Sequence, residues 1–105
     1  MRLMLDRLVM VLAVVLMVPY LNVFVARVSH PFDLEWMEGG MLVHALRLSE
    51  GQPLYVASGP DWMPFVYPPG YPALIAIFSM GEPTYEVARL LSWFGTGLVL
   101  SLIHI

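Results

Sequence analysis

From Leu8 to Ala26 the chain carries no charged side chain over 19 consecutive residues. Roughly 20 apolar residues cross a bilayer as a helix. Hydrocarbon leaves a spanning backbone only two solutions, a helix or a closed barrel. The stretch therefore reads as a transmembrane helix over residues 8–27, after a short polar start at 1–7. Pro19 and Asn22 fall in its last third, where the proline predicts a kink. A cleaved signal peptide is the rival reading. Its apolar region is normally about 7–15 residues long and ends in small residues. Val23-Phe24-Val25-Ala26 offers no such site, and an anchor is expected.

Composition agrees with a membrane setting. Hydrophobic residues make up 59% of the chain and charged residues 12%, against about 25% charged in an average globular domain. The mean hydropathy is +0.75. A net charge of −3 excludes the basic patch of a nucleic-acid binder. With no cysteine, disulfides, thiolate metal sites and a cysteine nucleophile are excluded.

Charge also predicts orientation. Arg2 and Arg7 precede the span, whereas residues 30–85 hold Asp33, Glu35, Glu38, Glu50, Asp61 and Glu82 against Arg47 alone. Basic residues favour the cytoplasmic side. Residues 28–85 are therefore expected outside the cell membrane as an extracytoplasmic loop. Within it, Ser29 or Asp33 is expected to cap a helix over about 33–50. Met41, Leu42, Ala45 and Leu46 recur at helical spacing on its apolar face, Gly51 stops it, and Gly39-Gly40 is a weak point near its start. This helix is too short and too charged to span, so it should lie at the membrane surface. Gln52–Gly70 is dense in proline and glycine and excludes regular structure. Its Tyr55, Trp62, Phe65 and Tyr67 suit the headgroup layer. A second interfacial helix is expected over 71–80. Thr84 is placed to cap a second transmembrane helix at 86–105, uncharged from Leu90 apart from His104. The fold class expected is all-α, with two transmembrane helices flanking the loop. A span that stops within the bilayer leaves carbonyls in hydrocarbon, so a fragment of a polytopic protein is expected. Ser101–Ile105 also reads as a translated sequencing adaptor.

The candidate chemistry is carboxylate chemistry. On a helix starting at Asp33, Glu35 and Glu38 would share a face. Close acids raise one pKa and suit a general base, although acids also simply favour a helix N-terminus. His44 is expected to be a structural surface residue. Arg47 is placed to bind a phosphate or to snorkel to headgroups. Arg89 is placed to meet an anionic lipid head or a loop carboxylate. Trp36, Trp62 and Trp93 read as interfacial or packing residues. No phosphate loop, dinucleotide fingerprint, nucleophile elbow or HExxH helix is present.

The words DLEWMEGG at 33–40, ALRLSEGQPLY at 45–55, YPPGYP at 67–72 and ARLLS at 88–92 resemble, in this order, the amino-terminal end of GT-C superfamily membrane glycosyltransferases. The nearest likeness is to the bacterial enzymes grouped with protein mannosyltransferases and the aminoarabinose transferase of lipid A. The resemblance covers nearly the whole chain but only the first of the family's many spans. It implies transfer of a sugar from a polyprenyl-phosphate carrier to a lipid, glycan or protein acceptor, with inversion. A loop carboxylate would act as general base. Carried over by position, the family's Asp-Glu pair falls at Met37-Glu38, and Met37 departs from it. Glu38 is the best-matched base, with Glu35 or Asp33 as alternatives. Arg47, Tyr67 and Arg89 are the candidate substrate-binding residues. The full-length family fold leaves room for a divalent metal. The localisation implied is the inner (plasma) membrane, multi-pass. The alternatives are a small two-span membrane protein whose loop binds a partner, and a transporter fragment with the acids in an ion path.

Overall fold

The computed structural model describes residues 1–103 and 105; the charge expected at His104 lies outside them. Among the described residues the chain is all-helical, with four helices in sequence: α1 (Arg2–Val28), α2 (Glu38–Ser49), α3 (Gly70–Phe78) and α4 (Tyr85–Ile103). Two of these, α1 and α4, are long and apolar enough to cross a membrane. Neither buries a residue within the chain, unlike the core helix of a soluble fold.

α1 starts at Arg2, so the polar start at 1–7 is its first turns rather than a separate segment. At about 1.5 Å per residue its 27 residues reach roughly 40 Å, about 10 Å more than the hydrocarbon needs. Arg2, Asp6 and Arg7 occupy that surplus. Pro19 lies inside the helix and removes one backbone donor. One turn on, the Asn22 side-chain amide donates to the Val18 carbonyl at 3.1 Å. The most polar side chain of the apolar run thus meets part of its bonding need within its own helix.

The first surface helix is shorter than expected. It begins at Glu38 with Met37 as its N-cap and no side-chain cap, so neither Ser29 nor Asp33 caps it. Local side-chain bonds hold residues 33–37 off the helical path, a competition open to acids near a helix start. The Met37 N–H donates to Glu35 Oε2 at 3.1 Å, and the Leu34 N–H donates to Glu38 Oε2 at 2.8 Å. Glu35 therefore precedes the helix, and Glu35 and Glu38 do not share a helical face. The far end matches expectation. Gly51 has φ +71°, the Gln52 N–H reaches the Arg47 carbonyl at 2.7 Å, and the Gly51 N–H reaches the Leu48 carbonyl at 3.1 Å. This is a Schellman ending.

The buried centre is small. Ala45, Ile75 and Leu54 are its buried apolar residues, with Pro72 of α3 beside them. The buried face of α2 is turned from the expected one: Leu46 is 43% exposed, whereas His44 is 4% exposed. His44 is structural, but in the core and not on the surface. Its Nδ1 sits 2.7 Å from the Gly40 carbonyl, and its Nε2 accepts the Phe65 N–H at 3.0 Å. With Nε2 accepting from Phe65, the Nδ1–H is the donor to the Gly40 carbonyl. The two bonds also pin the irregular segment after Gln52 onto α2. Phe65 and Trp62 pack on the imidazole at 4.9 and 4.6 Å between centroids. Nearby, Gly59-Pro60-Asp61-Trp62 closes a tight turn, its Gly59 N–H donating to the Trp62 carbonyl at 2.8 Å. The Tyr55 hydroxyl donates to the Tyr67 carbonyl at 2.6 Å. The segment is ordered without regular structure because side chains supply its bonds.

α3 runs Gly70–Phe78, within a residue or two of its expected bounds. It ends like α2, but with Met80 at φ +53° where a glycine normally stands. The Gly81 N–H reaches the Ala76 carbonyl at 3.2 Å. α4 begins at Tyr85, and Thr84 Oγ1 accepts from the Val87 N–H at 3.4 Å, the capping role expected of it.

Two stability predictions follow from these contacts. A β-carbon at Gly40 would lie 2.3 Å from the Phe65 ring. Gly40→Ala should therefore cost about 1–3 kcal/mol through forced displacement. The measurement is hydrogen exchange of the 52–69 backbone in micelles, which should lose protection selectively. Met80→Gly relieves a left-handed side chain and should gain about 1 kcal/mol, read as a higher melting temperature.

Candidate functional site

The site is built where α1 ends, α2 begins and α4 begins. Sequence spacing prepares it on α4, where Tyr85, Arg89 and Ser92 recur at helical intervals and form one polar stripe on an apolar helix. Arg89 is the centre. Its Nε donates to Glu38 Oε1 at 3.1 Å, and its Nη2 donates to Glu38 Oε2 at 2.9 Å. This is a side-on, bidentate pair. Nη2 also donates to the Phe32 carbonyl at 2.8 Å. Nη1 donates to the Arg27 and His30 carbonyls, both at 2.7 Å, and more weakly to Val28 at 3.3 Å. All five guanidinium hydrogens are used.

Burial makes this pairing consequential. The Arg89 side chain is 9% exposed and that of Glu38 is 25% exposed. The Arg89 guanidinium holds the Glu38 carboxyl below the usual carboxylate range; partial burial opposes this, and the Leu34 N–H adds to it. Glu38 Oε2 already accepts from both Arg89 and Leu34, and Oε1 accepts from Arg89. Both its oxygens are thus engaged by the scaffold.

The other two acids are held differently. Asp33 Oδ1 accepts the Tyr85 hydroxyl at 2.6 Å, and the Arg89 guanidinium lies 5.0 Å from the centre of the same Tyr85 ring. Gly39 makes room for this, since a β-carbon there would stand 2.9 Å from Asp33 Oδ1. Glu35 spends one oxygen on the Met37 N–H; among the described residues nothing donates to the other. Below the three acids lies a cleft of about 570 Å³. Glu35 and Glu38 line it, and Asp33 does not. Phe24 and Trp93 form part of its wall, stacked with ring centroids 3.5 Å apart. Tyr71 of α3 closes one side, its hydroxyl donating to the Ala88 carbonyl and sharing a hydrogen with Ser92 Oγ, both at 2.7 Å.

Of the residues singled out in the sequence, Glu35, Glu38 and Arg89 meet at this cleft. Arg47 and Tyr67 lie elsewhere. Arg47 donates to the Pro53 carbonyl at 3.0 and 3.3 Å and stacks on Trp62 at 4.1 Å. Tyr67 contributes its carbonyl to Tyr55. Tyr71, Tyr85 and Ser92 were not foreseen, although the polar stripe on α4 carries two of them. For a divalent metal the described residues supply no group of three acids or histidines close enough to share an ion, and the commitment of Glu38 to Arg89 removes the nearest carboxylate. The donor set here does not fit a metal.

No protein-family model, curated protein or solved structure matches the chain. The class that fold and site define is an all-helical chain with a largely apolar cleft, bordered by two carboxylates, at the junction of two helices long and apolar enough to cross a membrane.

Two measurements test the Arg89 pairing. Arg89→Lys replaces a five-donor plane with a point charge and should cost about 2 kcal/mol, with new proteolytic cutting between Val28 and Glu38. The pH dependence has a defined sign. The folded Glu38 value lies below the unfolded value of about 4.3. Its contribution is therefore complete above that value and lost as pH falls through the lower folded one. The melting-temperature advantage of the wild type over Glu38→Gln should be flat near neutrality and shrink below about pH 4.

Proposed function

We propose that this chain is the amino-terminal part of an integral-membrane glycosyltransferase. It would move a sugar from a polyprenyl-phosphate donor to a lipid, glycan or protein acceptor on the extracytoplasmic side of the plasma membrane. The observation that carries the reading is Glu35, a carboxylate with one unused oxygen lining a largely apolar cleft, held where two membrane-length helices meet. Such a group faces a water-borne acceptor from one side and a lipid-borne donor from the other. The acidic loop and the basic start of α1 support the orientation. The order of sequence words shared with the GT-C enzymes supports the chemistry.

In this reading the roles divide by geometry. Glu35 accepts the proton of the acceptor hydroxyl as that oxygen attacks the sugar. Glu38 is a positioning residue, since both its oxygens are spent on Arg89 and Leu34 and a lowered pKa weakens it as a base. Asp33 orients Tyr85. General-base help is worth about 10²–10⁴ in rate. Glu35→Gln, in membranes expressing the whole reading frame, should lower transfer of labelled sugar by about that factor with protein level unchanged. Glu38→Gln should lower activity in proportion to lost folded protein. Full transfer by Glu35→Gln, with Glu38→Gln inactive but folded, would return the base role to Glu38.

Exposed Phe32, Trp36, Met63 and Val66 favour a second reading, a loop that docks a partner without catalysis. A chain that crosslinks to a partner through Trp36 and transfers no sugar would support it.

A further inference from the structure

Arg89 and Glu38 neutralise each other, and two other charged residues line the same cleft. One is Arg27, whose guanidinium makes no hydrogen bond or ion pair among the described residues although its carbonyl is bound by Arg89. The other is Glu35, with its unused oxygen. They carry opposite charge. The cleft also runs down between membrane-length helices: from Tyr85 to Trp93 along α4 is about 12 Å at the helical rise, enough to pass from headgroup depth into hydrocarbon. Its walls are mainly apolar, with Phe24 and Trp93 at that lower level.

We propose that the cleft binds the head of a zwitterionic membrane phospholipid of the ethanolamine type. Arg27 meets the phosphate and Glu35 meets the primary ammonium, while an acyl chain follows Phe24 and Trp93. A phosphate suits a guanidinium. An ammonium donates hydrogen bonds to a carboxylate, which a trimethylated head cannot do. Quaternary heads are instead gripped by cages of several open aromatic faces, and here Phe24 and Trp93 stack on each other at 19° between planes, so each ring has one face taken and the pair forms no cage. A purely anionic head would gain Arg27 but oppose Glu35. The assignment does not depend on sugar transfer. A head bound in this way would compete with any acceptor that uses Glu35.

The test uses the full chain with Trp36→Phe and Trp62→Phe, which leaves Trp93 as the sole indole, reconstituted in phosphatidylcholine vesicles. A minor fraction of one brominated lipid is added as quencher: phosphatidylethanolamine, phosphatidylcholine, phosphatidylglycerol or diacylglycerol. Trp93 should be quenched about two- to fivefold more effectively by the ethanolamine lipid than by the choline or glycerol lipid, the range a single exposed charge pair supports. Glu35→Gln should erase the preference for ethanolamine over choline and raise quenching by the glycerol lipid. Arg27→Gln should erase the preference of phosphatidylcholine over diacylglycerol and reduce that of phosphatidylethanolamine. Glu82→Gln, on the turn before α4, should change nothing. Equal quenching by all three phospholipids would overturn the proposal, as would an ethanolamine preference that survives Glu35→Gln. Native mass spectrometry of the unsubstituted chain from mixed micelles gives a second reading, free of the tryptophan changes: retained phosphatidylethanolamine supports the site, and retention equal to phosphatidylcholine refutes it. Neither assay contains a sugar donor, so failure here and failure of the transfer reaction are separate results.

Discussion

The structure depends on one guanidinium. Arg89 receives the carbonyls at the end of α1, the carbonyls of the following linker and the carboxylate that opens α2. Each partner has a reason to be negative. The last carbonyls of a helix lack intrahelical donors and carry the negative end of its dipole. Glu38 stands in the first turn of α2, where an acid is stabilised by the opposite end of a dipole. The charges therefore alternate along a line: the end of α1, Arg89, Glu38, the start of α2. Close to a membrane the effective dielectric falls and each of these attractions strengthens. Desolvation grows as well, and only a cation with every donor satisfied meets that cost.

This one contact explains why a chain with so small a core is ordered. Three buried apolar residues cannot offset the conformational entropy of a hundred ordered ones. The long helices bury no residue within the chain. The segment between them is held by discrete polar ties: Arg89 at one end, His44 in the middle, and Arg47 on Pro53 near the turn of Gly51. In each tie a side chain on a helix bonds the backbone of an irregular segment. A proline-rich stretch needs this, because it has too few donors to bond itself.

That pattern also decides what could be read from the sequence. The helices were legible, since apolar run length, Gly51 and Thr84 are local signals that local physics enforces. The surface helix was misjudged at its start, where Glu35 and Glu38 bond backbone N–H groups two and four residues away instead of extending the helix. Such bonds are stabilised by Arg89, about fifty residues on, and no window of sequence contains both. The burial of His44 is hidden from the sequence for the same reason. A histidine on a short amphipathic helix shows no periodic sign of the Phe65 N–H that buries it. Arg89 was the intermediate case: a lone cation at the head of an apolar helix announces a partner, but the choice between a lipid head and Glu38 is a tertiary fact.

The division of the acids follows from the same tie. Three carboxylates within six residues would repel one another if all were equally free. Arg89 neutralises Glu38, Tyr85 holds one oxygen of Asp33, and Glu35, which lines the cleft, bonds only the Met37 N–H. In the proposed transferase this arrangement would separate two tasks that a single carboxylate performs poorly together. A carboxylate that anchors a fold needs strong donors, and strong donors lower its basicity. One that takes a proton from a substrate needs few donors and an open side. With both within four residues of each other, Glu38 fixes through Arg89 the loop on which Glu35 stands, and Glu35 adds only the local bond from the Met37 N–H.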